Sequence, residues 1–232
     1  MSHTKEIKPI AIIRSDFVTK FGIPRQSGLI KQLKQTIIFK PQYRDPDFLR
    51  GIEGYSHIWL IWGFSEAERD RILPTVRPPR LGGNKRMGVF ATRSPFRPNS
   101  LGLSAVKLER VIYSSDSGPQ LIVSGADLMD GTPIYDIKPY LAFTDSHSDA
   151  TGGFSDEVRD YSLQVEIDDE YKKIFPGEML GALLDILRND PRPAYQNNSD
   201  RVYGFKFSRY EIKFNVGSDR VLRVCGVDEK ED

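Results

Sequence analysis

Apolar and polar positions alternate along most of this chain in short runs, and only one stretch carries a helical period. Residues 7–14 (IKPIAIIR), 35–40 (QTIIFK), 54–64 (GYSHIWLIWGF), 87–92 (MGVFAT), 102–112 (GLSAVKLERVI) and 120–125 (QLIVSG) are rich in β-branched and aromatic residues. Turn residues separate them, so each reads as a strand. The run 54–64 is the most hydrophobic and reads as a buried central strand. His57 at its start reads as a satisfied core histidine, and residues 46–53 as a helical turn or short helix. Residues 144–157 (TDSHSDATGGFSDE) lack apolar periodicity and read as a linker.

Beyond that linker the pattern changes. Residues 161–167 read as a strand and 168–175 as a short helix. In 177–190 (GEMLGALLDILRND), Leu180, Leu183, Leu184 and Leu187 share one face, which predicts an amphipathic helix stopped by Pro191. VYGFKF, YEIKFNV and RVLRVCGV read as a meander with a Gly217-Ser218 hairpin turn. Short strands with few helices predict a mainly β N-terminal barrel over 1–145, a linker over 146–158, and a small α+β domain over 159–232.

Charge changes this picture at one place. The formal charge of the 232-residue chain is only +1. Residues 71–107 nevertheless hold eight basic side chains (Arg71, Arg77, Arg80, Lys85, Arg86, Arg93, Arg97, Lys107) and no Asp or Glu, which leaves −7 for the rest. Five prolines and four glycines bend and stiffen the same segment. Such a segment suits a polyanion or an anionic ligand better than a packed core. Asp127, Asp130 and Asp136 follow around an Asp-Gly-Thr-Pro turn, a place where acid can meet that base. Pro24, Arg25 and Gln26 lie in a loop that offers a planar guanidinium fork and an amide. Phe64 and Ser65 end the central strand, where a ligand ring can stack.

Other chemistries are missing from the sequence. There is no G-x-G-x-x-G, no G-x-x-x-x-G-K-[ST] and no G-x-S-x-G. His3, His57 and His147 are far apart, and Cys225 is the single cysteine, so no metal or disulfide spacing exists. Cys225 lies in an apolar run and reads as a buried strand thiol. No apolar run is long enough for a membrane span, and the N-terminus lacks a signal-like apolar core, so a cytoplasmic protein is expected. The residues alone stop at a nucleic-acid-binding or phosphate-binding β protein, with enzyme and binding module both open.

Five motifs carry a resemblance: Pro24-Arg25-Gln26, RPPRLGG (77–83), GVFATRSPFRPN (88–99), DLMDGTPIYDIKPY (127–140) and DPRPAY (190–195). Together they resemble the TsaA-like family and its two-domain bacterial TrmO branch. The resemblance implies a β-barrel enzyme that uses S-adenosylmethionine to methylate N6 of threonylcarbamoyl-adenosine, next to the anticodon of threonine tRNA. It also implies a homodimer. A non-enzymatic RNA-binding β-barrel is the alternative. On this resemblance Pro24, Arg25, Gln26, Phe64, Ser65, Arg93, Leu103, Asp127, Leu128, Met129 and Asp130 fall on cofactor-binding loops. Asp136 or Asp130 is expected as the catalytic proton acceptor. Arg97 or Lys138 is expected at the threonyl carboxylate, and Arg77, Arg80, Lys85 and Arg86 at tRNA phosphates. No metal is expected.

Overall fold

The computed structural model describes residues 4–24, 26–66, 71–78, 85–114, 116–158, 160–192, 196 and 198–230. Its strands, in chain order, begin with β1 (Ala11–Arg14), β2 (Lys34–Phe39), β3 (His57–Gly63), β4 (Thr75–Val76), β5 (Met87–Gly88), β6 (Leu101–Ile112), β7 (Gln120–Ser124) and β8 (Pro133–Pro139). Six of these close into an antiparallel barrel in the order β1-β2-β7-β6-β3-β8, and β4 and β5 form a separate ribbon. The expected barrel is therefore present, and the 54–64 run supplies β3, a wall strand paired with β6 and β8.

The side-chain period of two decides what the barrel buries. In β3, Ile58, Leu60 and Trp62 are buried and join Ile13, Ile37, Val106, Leu121, Val123 and Ile134 in the barrel core. The odd positions His57, Trp59 and Ile61 take the other face. His57 is consequently exposed, not a core histidine; its Nδ1 lies 3.0 Å from the Ser56 hydroxyl. The 87–92 run is strand only through Gly88. Val89–Ala91 is a 3₁₀ turn, closed where the Thr92 hydroxyl donates to the Val89 carbonyl at 2.9 Å.

Past the barrel come α1 (Ala142–Asp145), a 3₁₀ turn (Gly153–Val158), β9 (Gln164–Glu166), α2 (Asp169–Lys172), α3 (Gly177–Arg188), β10 (Tyr203–Phe207), β11 (Tyr210–Val216) and β12 (Val221–Glu229). The sheet order is β10-β11-β12-β9, with β9 parallel to β12. Helix α3 covers this sheet through buried Ala182, Leu183, Ile186 and Leu187, with Leu180 and Leu184 half-buried beside them. The β11–β12 ladder slips between Lys213 and Phe214, which face Gly226 and Val224. Cys225 is the residue left over at this bulge, and its thiol is exposed, contrary to the expectation from its apolar neighbours.

The connection between β1 and β2 does not stay on the barrel. Phe17, Ile30 and Leu33 are buried in the same cluster as Leu183, Phe205 and Phe207, the core of the C-terminal sheet. The Phe17 and Phe207 rings lie 6.3 Å apart. Gln32 donates to Asp185 on α3 at 3.1 Å. One barrel connection thus completes the second core.

Candidate functional site

Trp62, the last buried aromatic of β3, begins a polar chain. Its indole nitrogen donates to the Ser104 hydroxyl at 3.0 Å, and that hydroxyl donates to Asp127 Oδ1 at 2.6 Å. Gly102, the cross-strand partner of Trp62, makes this possible. A Cβ there would lie 2.3 Å from the indole, so only glycine lets the ring lie across β6. Phe64 packs edge-on against Trp62 with ring centroids 4.4 Å apart, and its amide is tied to the Ser100 carbonyl at 3.0 Å.

Two loops converge on this chain. Arg93, just past the 3₁₀ turn Val89–Ala91, donates from Nη1 to the Gln26 amide oxygen in the β1–β2 connection. The same guanidinium acts electrostatically on Asp127, and the backbone of Ser27 also donates to that carboxylate. Gly28 donates its amide to the Gly125 carbonyl at 2.8 Å, which stitches the β1–β2 connection to the turn after β7. Burial pushes the Asp127 carboxyl above its ordinary range; the Ser104 hydrogen bond and Arg93 oppose that shift only in part.

The three carboxylates around the 127–136 turn separate. Among the described residues, Asp127 alone of the three meets the basic segment. Asp130 accepts from Arg14 Nη1 and from the Ser15 amide, each at 3.0 Å. Asp136 accepts from the Ile137 amide at 2.9 Å and pairs with Lys138 at 3.2 Å. Asp136, Ile61 and Leu103 form one cross-strand row on β8, β3 and β6, and the Leu103 side chain is 57% exposed.

The remaining expected site residues are spread around this centre. Pro24 is buried and Ser65 exposed, whereas Arg25 and Arg80 lie outside the described residues. Leu128 is fully buried in the barrel core, so its side chain is spent on packing. Met129 is half-buried, and its carbonyl accepts from the Thr132 amide and hydroxyl at 3.1 and 2.7 Å. Arg97 is half-buried and donates to the Thr92 carbonyl at 3.0 Å, bracing its own loop. Arg77, Lys85, Arg86 and Lys138 are exposed. Of DPRPAY, Asp190 and Arg192 form a buried pair through bonds of 2.7 and 2.8 Å, Tyr161 donates to Asp190 at 2.7 Å, and residues 193–195 lie outside the described residues.

Known proteins agree with this architecture along the whole chain. Residues 12–146 match the model of the tRNA-methyltransferase O N-terminal domain, and residues 160–230 match the TrmO C-terminal domain. The chain belongs to the TrmO family. A relative from Escherichia coli, named tRNA (adenine(37)-N6)-methyltransferase, is 37% identical over 220 residues, covering 91% of this chain and 93% of its own. One of the same name from Eikenella corrodens is 46% identical over 171 residues, 72% of this chain and 94% of its own. The crystal structure of TrmO from Pseudomonas aeruginosa superposes with a TM-score of 0.77 at 31% identity over 99% of both chains.

For a TrmO family member the cluster has a suitable donor set. A guanidinium for a carboxylate, a carboxylate for an ammonium or ribose hydroxyls, and an aromatic edge for adenine are what the zwitterionic cofactor needs. Sequence reasoning passed over Ser104 and Trp62 as site residues. The signal was present: in GLSAVKL, Ser104 occupies the same inward phase as Val106 and Leu108, and a polar residue at a core position needs a partner.

Proposed function

We propose that this protein methylates N6 of adenosine 37 in tRNA, with S-adenosylmethionine as donor. The observation that carries this reading is the Gln26–Arg93–Asp127 cluster, in a chain that matches the TrmO family end to end. When bound, the cofactor supplies a methyl group on a positively charged sulfur. Arg93 would hold the methionyl carboxylate, with the Gln26 amide oxygen orienting its guanidinium. Asp127 holds the ammonium or ribose end. Phe64, half-buried against Trp62, would give the adenine an apolar wall.

N6 of the acceptor loses a proton as it gains the methyl group, so a proton acceptor within reach of it speeds transfer. We assign that role to Asp136 rather than Asp130. Asp130 is spent on tying the β7–β8 turn to β1, whereas Asp136 is half exposed on the barrel's outer row beside Leu103. The finer substrate we propose is threonylcarbamoyl-adenosine of threonine tRNA. Lys138, 3.2 Å from Asp136, is the exposed cation we assign to its carboxylate, because Arg97 is committed to the Thr92 carbonyl. Arg77, Lys85 and Arg86 contact phosphates, giving affinity and salt dependence more than sequence choice.

We further propose a cytoplasmic homodimer. An exposed aromatic supports the dimer: Phe143, on the helix to which Trp59 is hydrogen-bonded through Asp145, is 84% exposed. The test of function is direct. Purified protein, S-adenosylmethionine and threonine tRNA carrying threonylcarbamoyl-adenosine are incubated, and the nucleosides are weighed by mass spectrometry. A gain of one methyl group on that nucleoside is expected. Tight tRNA binding with no methylated nucleoside would instead establish the RNA-binding module.

A further inference from the structure

We propose that the C-terminal sheet is a structural half of the cofactor site, and that Phe17 and Gly22 are the positioning residues that connect them. This inference rests on the reading that Gln26, Arg93 and Asp127 hold the cofactor. The observation behind it is a segment with two opposite attachments.

On one side the β1–β2 connection is apolar and sinks into the C-terminal core. Phe17 is fully buried there, with Ile30 at 2% and Leu33 at 7% exposure. Gly22 lies flat on the ring of Phe205 in β10. Its φ is +84°, and a Cβ would come within 2.4 Å of that ring, so both the backbone angle and the space require glycine. The Ser208 amide, just past β10, donates to the Asp16 carbonyl at 3.1 Å.

On the other side the same segment offers its backbone to the turn that carries Asp127. The Phe17 carbonyl accepts from the Asp130 amide at 2.8 Å, and the Ser15 amide donates to Asp130 Oδ1 at 3.0 Å. Gly28 bonds the Gly125 carbonyl, and the Ser27 backbone donates to the Asp127 carboxylate. Gln26 lies between Gly22 and Ile30, the two positions that the C-terminal core holds. Its reach to Arg93 is therefore set from both sides, by the C-terminal core at Gly22 and Ile30 and by the barrel at Ser27 and Gly28.

A loop ordered in advance spares the binding step the cost of ordering it. Loosening Phe17 should weaken cofactor binding while leaving the chemistry of the bound state intact. By linkage, cofactor should in turn restrain β10.

The test uses S-adenosylhomocysteine as probe on the full chain. In calorimetry Phe17→Ala should raise its Kd about tenfold, the size expected when one or two side chains must be ordered on binding. At saturating S-adenosylmethionine its kcat should stay within about twofold, and Phe17→Leu should recover most of the affinity. Unchanged affinity in a folded Phe17→Ala protein would overturn the proposal. Arg93→Ala run alongside separates the two readings. If Arg93→Ala weakens binding and Phe17→Ala does not, only this inference falls; if neither does, the pocket assignment falls.

A second measurement does not depend on any variant folding. Hydrogen exchange of the unmodified protein, with and without S-adenosylhomocysteine, should slow more at Phe205–Phe207 than at β9, the far edge of the same sheet. Equal slowing across the sheet, or none, would contradict it.

Discussion

Two connections bring residues to the same site and are held in opposite ways. Residues 15–33 are fastened by burial: Phe17, Ile30 and Leu33 lie in a second hydrophobic core and leave Gln26 at a fixed point. The described part of 71–100 buries little beyond Pro78 and Val89. It is shaped by prolines, by the 3₁₀ turn Val89–Ala91 and by the Arg97 bond to the Thr92 carbonyl, and its Arg71, Arg77, Lys85, Arg86 and Arg93 are exposed. The loop proposed to hold a small cofactor is built like a core, whereas the one proposed to meet a polyanion leaves most of its cations exposed. Arg93 is where the second loop touches the first.

The largest expected effect belongs to neither loop. Asp136 lies on strand β8, and Asp136→Asn should lower kcat by roughly 10²–10⁴-fold with cofactor affinity unchanged, as for loss of a general base. A kcat within twofold of wild type, measured by methyl incorporation into tRNA, would take the proton-accepting role from Asp136. The next effect contrasts one phenylalanine from each connection. Phe17→Ala should cost about 3–5 kcal/mol of stability, the range for emptying a core aromatic site. Phe90 is 78% exposed, and Phe90→Ala should change stability by less than about 0.5 kcal/mol. Denaturant melts giving equal losses would erase the distinction between the loops.

Smaller still, Arg93→Ala should weaken S-adenosylhomocysteine binding by about 1.5–3 kcal/mol, the worth of a hydrogen bond to a charged group. Arg86→Ala should leave that binding alone. It should reduce the slope of log affinity for tRNA against log salt by about one. A salt slope identical to wild type would remove Arg86 from the phosphate path.

The smallest effect is on pH dependence, and it has opposite signs in the two cores. Burial raises the Asp127 pKa, so the native state holds that proton more tightly than the unfolded chain. Its contribution to stability is full below the ordinary carboxylate range and is lost as pH rises through the raised value. At Asp190 burial also pushes the pKa up, but the Arg192 hydrogen bonds and the Tyr161 hydroxyl outweigh it and the net shift is downward. That contribution is present above the ordinary range and is lost as pH falls through the lowered value. Asp127→Asn and Asp190→Asn should therefore change the acid limb of the stability curve in opposite directions.

Much of the barrel was legible because alternation is a local signal. Ile58, Leu60 and Trp62 mark one face of β3, and the same alternation places His57 on the other, so its exposure follows from the pattern once the phase is counted. Cys225 was not legible, because a bulge opposite Lys213 and Phe214 shifts the phase and no residue announces it. The acidic turn was readable as a group, but its division among Arg93, Arg14 and Lys138 depends on which strand each Asp faces. The destination of Phe17 was hidden for a different reason. An apolar residue in a loop says that some core will take it, and only the tertiary arrangement says which. The described contacts that join the two parts of the chain run through the β1–β2 connection and through Lys34 on β2, which pairs with Glu178 on α3 at 3.4 Å.

The proposed cofactor site lies where these two connections meet, at Gln26 and Arg93. A double-mutant cycle on S-adenosylhomocysteine affinity, with Gln26→Ala, Arg93→Ala and the pair measured by calorimetry, tests it most directly. A coupling energy of about 0.5–3 kcal/mol between the two substitutions is expected. Strict additivity, within about 0.3–0.5 kcal/mol, would show that the two loops contribute independently and would contradict it.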